Sequence, residues 1–410
     1  GRENCVVLHL PSDILSKLHR RMCEEEGENN QQPWETVAFG TNIIGYQYLE
    51  TMVESMKSVL WHPMSDNHLA MLTTGNILAI FNILDDTDFP EQEIDLLKTL
   101  PTDKEPPYSS NICDFCFSSP QSIQRKDREG EEGREGERER KDVWSLATVF
   151  FAFRGGEVYS VCPVVPFGVR LPNELFMMVE EEYYREPKHP ASRNQYVYLN
   201  EIRAEEEKTL SFFTTQRPHS TVFMELEAEG PLYDIPHEDE AGFAAFCLSC
   251  APCSPTTLLL CFDGGVSYVL KQINGFISPK WQFELPSLSR PVPEFSITIA
   301  NLEPNLARKS YTRIPVVLSD ITHPDWMLEM NPMGVFVYCL HRGGAPPAVH
   351  LLHSFPLEED DNEEERGGGG RYGMCVRVTS FGTFLLVLDG KGCVVVEVNP
   401  SHFGGGMSEG

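Results

Sequence analysis

The sequence predicts an all-β fold, a seven-bladed WD-like β-propeller with loop and short helical insertions. Three observations predict it. A hairpin unit recurs six times along the chain. Its strands are apolar at nearly every residue, as in sheets covered on both faces. Strand-like segments also run ahead of several of the hairpins. Each hairpin joins two apolar strands through a short turn rich in Gly, Asn or Asp, and Asp-Gly and Gly-Gly supply the positive φ that tight turns need. One hairpin cannot bury two apolar faces alone. Several stacked radially can, and a closed ring leaves only short, protected edges.

The first unit is Val37–Leu49, turning at Gly40-Thr41-Asn42. The second, Leu69–Phe81, turns at Gly75-Asn76 and follows Ser58-Val-Leu-Trp-His-Pro63. That order is the layout of a WD-like blade, without its Gly-His and Trp-Asp dipeptides. The third, Thr148–Val161, turns at Gly155-Gly156, and Ile112–Phe117 is expected as its outer strand. The fourth, Thr257–Leu270, turns at Asp263-Gly-Gly, with Phe243–Leu248 in the same outer position. The fifth is Val335–Leu352, turning at Arg342–Ala345, and the sixth is Phe384–Val398, turning at Asp389-Gly. The spacing of 32 residues between starts at 37 and 69 fits one bare four-stranded blade. A seventh blade is expected inside 270–335, around Trp281–Leu285 and Phe295–Ala300. Cys5–Leu10 is expected to pair with the C-terminal hairpin and close the ring. An unrelated β-sandwich is the competing architecture.

Residues 1–400 read as one propeller, and 401–410 as a flexible tail. The mixed-charge run at 121–142 and the acidic, then Gly-rich run at 357–371 cannot bury a face and read as disordered insertions. Residues 171–226 read as a partly helical insertion. Leu171, Leu175, Met178, Val179 and Tyr183 recur at helical spacing there. Tyr196-Val-Tyr-Leu199 and Ser211-Phe-Phe213 add apolar groups of an exposed kind. Two readings fit: a helix lying on its own blade, or an apolar docking surface for a partner helix or strand. Phe176, Met177, Tyr183, Tyr184, Tyr196 and Tyr198 are the candidate partner-binding residues.

Charge and composition limit the function. With 33 Lys+Arg against 61 Asp+Glu among 410 residues, the formal charge is −28. That disfavours direct nucleic-acid binding and attachment to anionic lipid, and favours a basic partner or none recruited by charge. No run of about 18 apolar residues predicts a membrane span, and no signal peptide is visible. The 12 cysteines sit mostly in apolar runs and read as reduced core residues. Cys113-x-x-Cys116 and Cys247-x-x-Cys250-x-x-Cys253 resemble zinc spacings, but strand geometry puts positions three apart on opposite faces. Asp263 and Asp389 are turn residues, and Asp114 falls in a core strand. His62 reads as a structural strand-end residue, and His350 and His353 flank an expected strand. No nucleophile elbow, paired carboxylates or metal-binding helix motif appears, so the expectation is no enzyme, no cofactor and no metal.

The order of motifs resembles the N-terminal propeller of the cytoplasmic-face nucleoporins of mRNA export, nucleoporin eighty-eight in animals and eighty-two in yeast. The resemblance runs along almost the whole chain. It is carried by Val59-Leu-Trp-His-Pro63 with Leu69–Ile80, by Gly155-Gly-Glu157, and above all by Gly230-Pro-Leu-Tyr-Asp-Ile-Pro-His237 followed by Phe243–Leu270. Collinearity carries it; no single element is diagnostic. It implies a nuclear pore scaffold on the cytoplasmic face of the nuclear envelope, supporting mRNA export. The implied partners are the C-terminal domain of a Gly-Leu-Phe-Gly-type nucleoporin and the helical tail of a helicase-recruiting nucleoporin. It also implies a coiled-coil region beyond this chain, which then reads as a fragment. Two other functions compete: a hydrolase or lyase propeller with a site in its central channel, and a WD-like adaptor of another complex, such as one in membrane trafficking.

Overall fold

The computed structural model describes residues 5–9 and most of 40–300, leaving out 103–106, 108, 119–143, 186–188, 205–210, 234–243, 252–255, 263–266, 276 and 285–292. Beyond residue 300 it describes the backbone of strands between 316 and 398. The fold is mostly β, built from successive antiparallel sheets with few helices. The first sheet holds β3 (Met56–Trp61), β4 (His68–Thr73), β5 (Ile77–Asn82) and β6 (Gln92–Asp95) in that order. The second runs β7 (Ile112–Phe117), β8 (Val149–Phe153), β9 (Val158–Val161) and then β12 (Glu229–Tyr233). The third holds β13 (Ala245–Ala251), β14 (Thr257–Phe262), β15 (Ser267–Asn274) and β16 (Glu294–Ala300). The fourth holds β17 (Val316–Ser319), β18 (Trp326–Asn331), β19 (Gly334–Leu340) and β20 (Val349–Pro356). The fifth has three strands, β21 (Gly373–Thr379), β22 (Gly382–Asp389) and β23 (Gly392–Val398).

Five of the six expected hairpins form: β4–β5, β8–β9, β14–β15, β19–β20 and β22–β23. The sixth does not. Gly40-Thr41-Asn42 is not a turn but part of β2 (Gly40–Ile44), and Tyr46–Met52 continues as a helix, α1. β1 (Cys5–His9) pairs with this β2, not with the C-terminal hairpin. The expected extra blade within 270–335 is also corrected. Phe295–Ala300 completes the third sheet as β16, and the strands after residue 315 open the fourth. His350 and His353 lie inside β20 rather than flanking it.

The segments expected as outer strands take the opposite position. β3 neighbours β7, β7 neighbours β13, β13 neighbours β17 and β17 neighbours β21. The first strands thus follow one another from sheet to sheet, which is the place of inner strands. In the first sheet, Leu69, Met71, Ala79 and Phe81 pack on one face with Cys5, Ile44, Tyr48 and Leu49 of the β1–β2–α1 unit. Ala70, Leu72, Leu78 and Ile80 face the other way, into the large core shared with the second sheet. Alternation puts successive side chains on opposite faces, so a strand sandwiched between neighbours must be apolar throughout.

Polar ties hold neighbouring sheets in register. Lys57 Nζ on β3 donates to Asn76 Oδ1 (2.9 Å), Asn111 Oδ1 (2.7 Å) and Ile112 O (2.7 Å). Asn76 sits in the left-handed region at φ 64°, where Asn is tolerated, and turns the β4–β5 hairpin. The positive φ expected of a glycine in that turn falls on Asn76; in the β8–β9 turn it falls on Gly156 as expected. His62 is buried, edge-on to Phe117, with its Nε2 3.2 Å from Val164 O. Gln92 Nε2 donates to Val165 O (2.8 Å). Between the second and third sheets, Leu248 N donates to Asp114 Oδ2 (3.0 Å), which gives that core-strand carboxylate a structural partner.

Candidate functional site

The insertion interrupts the second sheet between its third strand, β9, and its fourth, β12. A small ribbon forms its base, β10 (Arg170–Pro172) paired with β11 (Phe212–Thr214). Thr215 is buried and pins that base: its hydroxyl donates to Pro166 O (2.7 Å) and accepts from Val169 N (3.0 Å). Two antiparallel helices stand on the ribbon, α2 (Asn173–Arg185) and α3 (Pro190–Ile202). Glu174 in the first turn of α2 and Arg185 in the last suit its dipole. Pro190 opens α3, where its fixed φ and missing N–H cost nothing.

The two helices are buried very differently. α3 buries Ala191, Ser192, Gln195, Tyr198, Leu199 and Ile202, a full helical stripe. Trp144 Nε1 donates to Gln195 Oε1 (3.1 Å), and Tyr198 packs among Trp144, Phe223 and Trp281. Trp281 is fully buried and donates through Nε1 to Phe223 O (3.1 Å). Burial pushes the Tyr198 phenol far above its ordinary range, as for a hydroxyl held in an apolar cluster. α2 buries only Phe176 and Val179. Arg203 lies over the Phe176 ring, 4.9 Å from its centroid, and 5.8 Å from that of Phe213.

The six candidate residues therefore separate into two groups. Phe176 (9 % exposed) and Tyr198 (5 %) belong to the core of this chain and offer a partner almost no surface. Met177 (63 %) and Tyr184 (67 %) are exposed on α2. Tyr183 and Tyr196 are half-buried and stack face to face across the two helices, centroids 4.7 Å apart and 2° from parallel. Tyr184 joins them, its ring centroid 5.4 Å from that of Tyr183 and 6.5 Å from that of Tyr196, and Tyr196 first and Glu180 next raise its pKa. Tyr183, Tyr184 and Tyr196 thus make one aromatic ledge, and Met177 stands exposed seven residues before Tyr184 on the same face of α2. Sequence reasoning missed α3 as a helix and missed Trp144, Phe223 and Trp281 as its seat. Exposed Phe212, at the base, had been visible only as part of an apolar run.

Among the described residues, Cys5, Cys113, Cys116, Cys162, Cys250 and Cys261 are free thiols. Cys113 donates weakly to Ala152 O, and burial, then Asp114, pushes its thiol up to about 12. Cys116 is buried near Cys250, and burial holds its thiol well above the ordinary range. Thiols held protonated by burial are poor nucleophiles. Among the described residues no group of three or more His, Cys, Asp or Glu side chains is arranged to hold a metal ion, and no helix is long and apolar enough to cross a membrane. Cys247, Cys253 and Asp263 have side chains outside the described residues.

No family model matches the chain. Over 108 residues it is 32% identical to the nuclear pore complex protein NUP88 of Arabidopsis thaliana; the match spans 26% of this chain and only 11% of that protein. The fold is similar to one in the Chaetomium thermophilum heterotrimeric Nup82 NTD–Nup159 TAIL–Nup145N APD complex, with a TM-score of 0.63 at 15% identity, covering 97% of this chain and 81% of that one. It is also similar to one in the yeast heterotrimeric Nup82–Nup159–Nup116 complex, with a TM-score of 0.55 at 10% identity, covering 84% and 74%. The local sequence match and the chain-long fold point the same way: this chain resembles the N-terminal domain of the Nup82/NUP88 nucleoporins.

Proposed function

We infer that the chain is a non-enzymatic docking scaffold of the nuclear pore complex, set on its cytoplasmic face and supporting mRNA export by binding other nucleoporins. The likeness to a Nup82-complex fold over 97% of the chain carries this reading, and the NUP88 match supports it. The solved complexes join Nup82 with Nup159 and with Nup145N or Nup116, so partners of those two kinds are proposed here. The mechanism is passive: stacked sheets hold loop and insertion surfaces rigid while partner segments add to them as strands or helices. We read the sheets as blades of a WD-like propeller. Five correspond to the five sheets. The β1–β2 pair and the three-stranded fifth sheet lie at the two ends of the series, where the remaining strands of a seven-bladed ring would close. Docking is assigned to the ledge of Met177, Tyr183, Tyr184 and Tyr196, with Phe176 and Tyr198 supporting it from beneath.

Affinity purification with mass spectrometry from the native cell tests this. Recovery of nucleoporins is expected, and their absence would sink the scaffold reading. Substituting Met177, Tyr183, Tyr184 and Tyr196 together is expected to abolish capture of a partner nucleoporin with the melting temperature unchanged. A lower melting temperature with capture intact would place these side chains in the core.

A further inference from the structure

The exposed face of α2 combines rings and carboxylates in a repeating order. Glu174, Met177, Glu181 and Tyr184 are all exposed and recur at intervals of three and four, so they share one face. Beside them stand the Tyr183–Tyr196 stack and Glu180, which lies close enough to Tyr184 to raise its pKa. The inner side of the same insertion already pairs cations with rings, Arg203 over Phe176 and Phe213. At its base Arg217 lies over Phe167, 5.5 Å from the centroid. On the outer side, among the described residues, no guanidinium or ammonium lies over Tyr183, Tyr184 or Tyr196. Arg185, the nearest cation in sequence, is paired with Glu181 (2.8 Å). A tyrosine face attracts a cation, and a carboxylate beside it attracts the same cation. An exposed thioether and three tyrosines also supply the rigid, amphipathic area that anchors interfaces.

We propose that this ledge docks an arginine-bearing amphipathic helix of a partner protein. Its apolar residues lie on Met177 and Tyr184, and its guanidinium groups lie over the tyrosine faces between Glu174, Glu180 and Glu181. The proposal rests on the docking-scaffold reading and gives that surface its partner chemistry.

The test titrates the whole chain with a fluorescein-labelled amphipathic helical peptide of leucine and arginine, and with the same peptide carrying glutamate for arginine. Anisotropy is expected to show saturable binding of the arginine peptide, about tenfold or more tighter than of the glutamate peptide. Tyr184→Ala and Met177→Ala, both at exposed positions, each weaken it about fivefold or more. Leu84→Ala with Asp85→Asn alters another exposed apolar and acidic site, on the first sheet, and leaves binding within about twofold. Equal binding of both peptides, or equal loss at both sites, overturns the proposal as non-specific charge attraction. A chain that sediments as a dimer and reverts to monomer in Tyr184→Ala overturns it in favour of a second copy. If nucleoporins co-purify while Tyr184→Ala binds the peptide as the parent does, the ledge assignment alone falls. If no nucleoporin co-purifies while the ledge still selects the arginine peptide, the pore reading falls and the ledge stands.

Discussion

Asn76 turns the β4–β5 hairpin while its amide faces another sheet. Its Oδ1 accepts from Lys57 Nζ and from Ile112 N (3.1 Å), and its Nδ2 donates to Ser110 O (3.1 Å). Alanine removes these bonds and also places a Cβ residue at φ 64°, so Asn76→Ala is expected to cost about 2–4 kcal/mol. Asn76→Gly relieves the backbone alone and recovers about 1 kcal/mol of that. Asn76→Asp keeps the shared acceptor and is the mildest of the three. Urea midpoints check the ranking; a glycine variant as stable as the parent would leave the amide no role. His62 gives a second residue-scale prediction, in pH. Its Nδ1 accepts from Met64 N (3.2 Å), which leaves the proton on Nε2 to donate to Val164 O. Burial holds its pKa down at about 3, against 6.5 unfolded. The folded-state value is lowered, so below pH 6.5 the unfolded chain takes up a proton that the folded chain refuses. The stability is fully present above 6.5 and is lost as pH falls toward 3, at about 1.4 kcal/mol per unit. His62→Gln keeps a donor and removes the titration. The parent's stability advantage over it is therefore expected to shrink by about 1 kcal/mol from pH 6.5 to 5.5; a constant difference would refute the assignment.

At the scale of elements, the insertion separates what was legible from what was not. α2 was readable because its apolar residues recur at helical spacing and its ends carry Pro172, Asn173 and Arg185. α3 was not. Its Tyr196-Val-Tyr core has the β-branched and aromatic character of a strand. Its partners are Trp144, Phe223 and Trp281, the last of them 83 residues from Tyr198 in sequence, and they carry no local signal. Tertiary burial decided the element over local propensity. The same reason kept Tyr198 among the docking candidates: a tyrosine between Val197 and Leu199 shows nothing of the tryptophan that will cover it. Trp281→Ala is accordingly expected to cost about 3–5 kcal/mol, since it empties the space under Tyr198 and Phe223 and strips the Phe223 carbonyl of its donor. The damage belongs to α3 first. Hydrogen exchange should quicken over residues 190–202 more than over β4 and β5 of the first sheet; uniform quickening would mean that the helix and the sheets unfold as one unit.

For the whole molecule, the hairpins were legible because both strands and the turn are local, whereas the closure of each sheet was not. β12 joins β9 across the entire insertion, and β1 joins β2 across residues outside the described set. Gly230-Pro-Leu-Tyr233 was conspicuous as a motif but gave no sign that it completes the second sheet. The first-strand position of β3, β7 and β13 was equally invisible, because local sequence does not say at which edge of its sheet a strand lies. The charge of −28 does act on the molecule as a whole, and it acts with two signs. Folding crowds the exposed carboxylates together, so at low salt repulsion opposes the compact state. Raising salt from about 20 to about 300 mM shortens the screening distance from about 20 Å to about 6 Å. The melting midpoint should then rise by a few degrees, about 1 kcal/mol in stability, because the ion pairs among the described residues that oppose it are few. The exposed Arg185–Glu181 and Lys98–Asp95 pairs contribute little, and Lys280–Glu227 (2.6 Å) is shielded by its burial. Binding of the arginine helix to the ledge should weaken several-fold over the same range, since the attraction is screened while the rings are not. Opposite slopes for stability and for docking, measured in one salt series, are the signature of a surface kept acidic for a basic partner; a midpoint that falls with salt would mean that local pairs, not the summed charge, govern the fold.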